Sequence, residues 1–217
     1  MRLIALSCGI SVALLAPLSA AAEDSANLKV TGVISPASCS VSLGGTSTVD
    51  LGEVKVSDFK PGEDLALDSK SASLAVICEG ASARFRLKAR DTSVGGGVSV
   101  VGLNHYSLGW NESGKGTPKP NGYFKLSIDT DAMQSNKYVL KSTDGGDGKA
   151  WGVPTTGEVG FDHDGEAFAF AASGSATQPA DLESLTVPLK ISAVLAKDPV
   201  VNGKVELAGQ ATIEIFY

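Results

Sequence analysis

Catalytic equipment is what this chain has least of. Among 217 residues it holds 3 cysteines, 2 histidines and 2 tryptophans. It has no Cys-x-x-Cys, no His-Glu-x-x-His, no Gly-x-Ser-x-Gly and no glycine loop built to cradle a phosphate. These absences argue against thiol redox chemistry, zinc proteolysis, serine hydrolysis and nucleotide binding. No basic stripe is present either. With Arg2 removed, 17 basic side chains face 24 acidic ones, so nucleic acid is not an expected partner. After Leu18 no stretch approaches the ~20 apolar residues of a membrane span. Nor does any run of twelve residues keep a helical period.

What remains suggests an exported β-protein. Arg2 begins a positive n-region, Leu3 to Leu18 is almost free of charge, and Ala20-Ala21-Ala22 fits a cleavage site. Residues 1–22 are therefore expected to be a signal peptide, and 23–217 the mature domain. Cys8 has only seven residues before it, too few for a lipoprotein signal. About 195 mature residues suffice for one core without a metal. The two remaining cysteines, Cys39 and Cys78, are read as a disulfide in an oxidising compartment. Closing that loop would restrict the unfolded chain by roughly 3–4.7 kcal/mol on the loop-entropy model.

The 25 glycines and 9 prolines break the chain into short alternating runs. Expected strand faces are Leu28/Val30/Ile34, Val49/Leu51/Val54, Leu74/Val76/Cys78, Phe85/Leu87/Ala89, Phe124/Leu126/Ile128, Phe168/Phe170 and Leu185 to Ala193. Arg84, Arg86, Lys88 and Arg90 fall on the other face of the fourth. Pro188 suggests that the seventh is an edge or carries a bulge. The last run is the most regular: Val205, Leu207, Ala211, Ile213, Ile215 and Tyr217 alternate with polar Glu206, Gln210, Thr212 and Glu214. Stretches 93–122 and 144–165 read as long loops. Several short strands with regular turn signals mean an all-β sandwich.

The polar motifs are weak. Asp162-His163-Asp164-Gly165 resembles half of a calcium loop but lacks the following ligands, so a polar turn is expected. His105 reads as a structural residue. Ser57-x-x-Lys60 is followed at once by Pro61-Gly62, off any helix, and reads as chance. Trp110 and Trp151 lie in loops, where they anchor the loop or stack on a sugar. Asn111-Glu112-Ser113 is a glycosylation sequon. No catalytic residue, metal site or cofactor is expected.

Leu28-Lys29-Val30-Thr31-Gly32-Val33-Ile34-Ser35-Pro36-Ala37-Ser38-Cys39, with a partner cysteine in Leu74-Ala75-Val76-Ile77-Cys78, resembles the opening of chaperone–usher fimbrial subunits (pilins). Gly209 to Tyr217 resembles their terminal strand. The details resemble a fimbrial-like branch named only as a domain of unknown function. The resemblance implies an immunoglobulin-like β-sandwich lacking its final strand. The groove would be filled first by a periplasmic chaperone and then by a neighbouring subunit. An outer-membrane usher would then carry the product to the cell surface, in a fimbrium that supports adhesion. It also implies that Val205, Leu207, Ala211, Ile213, Ile215 and Tyr217 border the groove. The Tyr217 carboxylate would meet a cationic chaperone residue. Leu28 and Val30 are the donor-strand candidates. Two features depart from the pattern: Tyr217 is last rather than next to last, and only Glu23 to Asn27 precede the first strand. A tip adhesin or secreted module that binds a host glycan or protein is the alternative.

Overall fold

The structure, a computed structural model, describes residues 38–44, 47–93, 105–111, 119–163, 165–199 and 203–217. The expected signal peptide, the expected strand over 28–34 and the side chains of the sequon lie outside them. All described residues fall in one compact unit, Pro36–Tyr217. They form antiparallel strands with two short 3-10 turns, Val56–Asp58 and Thr130–Ala132. The strands are β1 (Ser38–Gly44), β2 (Leu65–Ala66), β3 (Lys70–Glu79), β4 (Arg86–Asp91), β5 (Tyr106–Ser107), β6 (Trp110–Asn111) and β7 (Lys119–Pro120). They continue with β8 (Gly122–Asp129), β9 (Tyr138–Lys141), β10 (Glu158–Gly160), β11 (Phe168–Ala171), β12 (Ser184–Leu195) and β13 (Ala211–Phe216).

Two sheets share one core. The first runs β1-β3-β12-β8-β10, with β2 on β12 and β5 on β8. The second runs β13-β4-β11-β9, and β6 and β7 form a separate ribbon. Period two explains which side chains meet. Along β12, Leu185, Val187, Leu189, Ile191, Ala193 and Leu195 are buried, opposite Leu74 and Val76 of β3 and Leu126 and Ile128 of β8. Leu87, Ala89, Phe168 and Phe170 close the core from the second sheet. Each fully buried Leu, Val, Ile or Phe contributes about 1.5–3 kcal/mol by leaving water. Phe161 meets Phe168 edge to face at 4.9 Å, an arrangement favoured by the ring quadrupoles. On the outer face of the second sheet, Arg84 pairs with Asp181 at 3.0 Å and Arg90 with Glu214 at 3.1 Å.

Four segments differ from expectation, each for a local reason. Val49, Leu51 and Val54 lie on no strand. Asp50 Oδ1 accepts from the Gly52 amide at 2.8 Å and Asp58 Oδ2 from the Lys55 amide at 2.9 Å, so side chains satisfy the backbone in place of a ladder. The strand containing Pro188 is central, between β3 and β12's other neighbour β8, and not an edge. The β8 pairing begins only at Leu189, so at Pro188 that flank needs no amide donor. Residues 203–210 are irregular, and the terminal alternation becomes strand only from Ala211. The two long loops carry β5, β6, β7 and β10. Gly122 opens β8 at φ +149°, and a Cβ there would stand 2.2 Å from the Val194 carbonyl oxygen.

Candidate assembly groove

Cys39 and Cys78 face each other across the β1–β3 register and are bonded, as expected from the sequence. This fastens β1 to the first sheet. β13, the last strand, lies at the edge of the second sheet, and among the described residues it pairs only with β4. The Thr92 amide donates to the Gln210 carbonyl at 3.0 Å, which sets the phase of that ladder. Alternation then gives Thr212, Glu214 and Phe216 their hydrogen bonds with β4. The N–H and C=O groups of Ala211, Ile213 and Ile215 are left facing the open flank. The same three residues turn their side chains to the core, where they are half-buried. Among the described residues, β13 therefore offers both unpaired backbone groups and half-buried apolar side chains on one flank.

Beside it lies a groove of about 1630 Å³. Its floor is Phe124 and Leu126 of β8 with Leu189 and Ile191 of β12. Ala211 and Ile213 form one wall; Leu43, Leu51, Val54 and Phe59 form the other. Asp50, Glu53, Lys119, Lys197, Asp198, Lys204 and Glu206 supply charge of both signs at the lining. At one end the walls touch. The Tyr217 hydroxyl donates to the Cys39 carbonyl at 2.9 Å and also accepts from the Cys39 amide. The Tyr217 main-chain oxygen accepts from Arg86 Nη1 at 2.9 Å, and Phe216 lies beneath the Arg86 and Lys88 cations.

Of the residues expected to border a groove, Val205, Leu207, Ala211 and Ile213 line it. Ile215 packs on the core, and Tyr217 sits at the closed end. Leu28 and Val30 lie outside the described residues. Glu206, expected on the face away from Leu207, also lines the groove, because residues 203–210 do not keep a strand's period. The wall from Leu51 to Phe59 was not foreseen. Its apolar spacing is the only signal in the sequence, and that spacing reads equally as a strand.

The polar motifs have other engagements. Asp162 accepts from Lys141 at 3.2 Å, and Lys141 also pairs with Glu166. His163 Nε2 bonds the His105 carbonyl at 2.9 Å. Lys60 pairs with Glu63 at 3.8 Å. Trp110 lies on β6, and Trp151 bridges Ser142 beside β9. Among the described residues, no cluster of three or more His, Cys, Asp or Glu could hold a metal ion. Displaced pKa values occur away from the groove. Burial pushes that of His105 down. Burial would raise that of Asp144, but the amides of Lys149, Ala150 and Gly148 hold it below the usual range. Glu158 is lowered, and Lys190 raised, by their mutual hydrogen bond.

A family model described as a protein of unknown function (DUF1120) matches residues 28–108, a stretch that contains the disulfide and β1 to β5 but not β13. The chain is also similar to an uncharacterized protein, YhcF, of Escherichia coli (strain K12): 25% identical over 225 residues, covering 92% of this chain and 93% of that protein.

Proposed function

We propose that this chain is a structural subunit of a bacterial surface fimbria, exported to the periplasm and assembled by strand exchange. The fold would be an immunoglobulin-like sandwich of the incomplete, pilin type. The observation that carries the reading is the groove beside β13, with its apolar floor and a flank that no described strand pairs. An extended strand laid there would add ladder hydrogen bonds and insert alternate side chains between the walls, which is β-augmentation. The occupant is a periplasmic chaperone's strand first, and a neighbouring subunit's extension afterwards. An outer-membrane usher makes the exchange.

The test is periplasmic co-purification with the chaperone encoded beside this chain's gene. Ile213→Asp puts a charge into the wall and should abolish capture, while Thr212→Lys on the opposite face should leave it intact. Equal capture of wild type and Ile213→Asp would overturn the reading, as would the absence of chaperone and usher genes from the locus.

A further inference from the structure

The chain's two histidines, distant in sequence, are packed on the same short strand. His105 directly precedes β5 and is 5% exposed. Its ring lies flat on Tyr123 of β8, centroids 4.2 Å apart and planes 4° from parallel. Its Nδ1 is buried and finds no hydrogen-bond partner among the described residues. His163 comes from the turn after β10. A carbonyl can only accept, so His163 Nε2 carries a proton and donates it to the His105 carbonyl at 2.9 Å. The His163 ring also meets Tyr106 edge-on at 5.1 Å, and the Tyr106 hydroxyl donates to the Phe161 carbonyl at 2.6 Å.

What β5 holds makes this pair consequential. The Ser107 amide donates to Asp91 at 2.8 Å, and the Ser107 carbonyl accepts from Ser93 Oγ at 3.0 Å. Ser93 Oγ in turn accepts from the Gln210 amide at 2.8 Å. The Ala208 amide donates to the Leu108 carbonyl at 3.1 Å. Gly209 lies so close that a Cβ would stand 2.8 Å from Phe124 and 2.9 Å from the Ser107 carbonyl oxygen. The lead-in to β13 therefore rests on β5, and Leu108 itself lines the groove.

We propose that His105 and His163 form an acid-sensitive latch that holds β5 against the lead-in to β13, so that mild acid loosens this end of the groove. The groups facing His105 are Tyr123 and Lys125 from β8, and Asp162 and His163 from the turn after β10. Burial lowers the His105 pKa first, then Lys125; Asp162 opposes them, but Lys141 holds Asp162. The opened segment binds its proton near the ordinary value of 6.5, and the packed one only at lower pH. The latch is thus whole above that value and weakens as pH falls through it. A protonated His105 has two N–H donors, and its buried Nδ1 side has no acceptor among the described residues, so the ring gains by leaving its stack. The consequence for assembly rests on the proposed function; the latch itself does not.

Hydrogen exchange on the full chain at pH 7.5 and 5.5, corrected for intrinsic rates, tests it without any partner. Peptides over 105–109 and 208–213 should lose protection at pH 5.5, by up to about tenfold, the ceiling that linkage of one proton sets over one pH unit. The centres of β3 and β12 should not change. His105→Phe keeps a flat ring without a titrating nitrogen and should abolish the loss; His105→Gln serves if the Phe variant misfolds. Unchanged wild-type protection at either segment, or the same loss in the variants, overturns the latch. Failure of chaperone capture with an intact exchange response would instead count against the proposed function alone.

Discussion

The second sheet treats its two edges in opposite ways. At β9 the chain returns to cover the flank. The Val139 and Thr155 backbones exchange hydrogen bonds of 2.9 Å in both directions, the Gly152 amide reaches the Lys141 carbonyl at 2.9 Å, and the Thr143 amide reaches Ala150 at 3.0 Å. The covering loop is fixed at its base by the Asp144 carboxylate, which takes the amides of Gly148, Lys149 and Ala150. At β13, among the described residues, the flank has only the Tyr217 contact at one end. An open edge is a liability that folded chains ordinarily cover or blunt. A chain that spends residues 142–155 sealing one edge has the means to seal the other. The difference teaches that, among the described residues, the chain seals one edge of this sheet itself and leaves the other open, which is the contrast that the proposed function draws on.

The most severe way to break the contrast is to fill the open edge. A strand of alternating apolar residues, tethered after Tyr217 by a flexible linker, should raise the melting temperature by about 10–20 °C. Three or four side chains entering the groove would contribute about 5 kcal/mol after the ordering entropy is subtracted, and each kcal/mol is worth about 2–4 °C at this size. A permuted strand of equal composition is the control. Calorimetry showing the same gain for both, or none, would mean that the groove does not accept a strand.

The converse experiment opens the sealed edge. Thr155→Pro removes the N–H that Val139 uses, and Val139 is fully buried. Leaving that carbonyl unsatisfied should cost about 2 kcal/mol in urea unfolding. Wild-type stability would show that the loop merely lies over β9 without sealing it.

Much of this architecture was legible in the sequence, and the reasons for the rest are physical. Leu74/Val76, Leu87/Ala89, Phe124/Leu126/Ile128 and Leu185 to Ala193 fall inside buried strand faces because period two survives wherever both neighbours pair. Val49, Leu51 and Val54 carry the same pattern but curl into local turns, since Asp50 and Asp58 capture amides that a ladder would need. Val205 and Leu207 line the groove from an irregular segment for a similar reason: residues 208–210 bond to β5 and Ser93 rather than running on as strand. The floor residues are ordinary core positions in the sequence. What marks them is that they line the groove between the two walls, and that depends on strand order rather than on local pattern. The contact between His105 and His163 likewise appears only once the topology joins them.

A smaller effect tests how firmly the open edge is closed at its one fixed end. Tyr217→Phe keeps the ring but loses the hydroxyl that bonds Cys39. Stability should fall by about 1 kcal/mol, the usual net worth of such a bond. Exchange of the Cys39 amide should quicken. An unchanged Cys39 amide would mean that β1 is held by the disulfide alone.

The smallest expected effect concerns a third edge, β10 of the first sheet, which no described strand covers and which is not left apolar. Its Glu158 reaches across β8 to Lys190 of β12 at 2.7 Å, and both side chains are substantially exposed. Charge at an edge blunts it against stray strands. The Lys190 hydrogen bond lowers the Glu158 pKa from 4.5, with burial opposing and Ser127 assisting. Glu158 therefore contributes stability above its unfolded value and loses it as pH falls through its lower folded value. Lys190 is raised from 10.5 by the same bond, so its contribution is present below that value and lost only at more alkaline pH. Between those limits the pair is complete. Glu158→Gln should lower the urea midpoint slightly and equally at pH 6 and pH 8, and the gap from wild type should narrow as pH falls below 4.5 toward 3. A gap as wide at pH 3 as at pH 7 would mean that shape and not charge sets the effect, and that β10 is protected by its shortness.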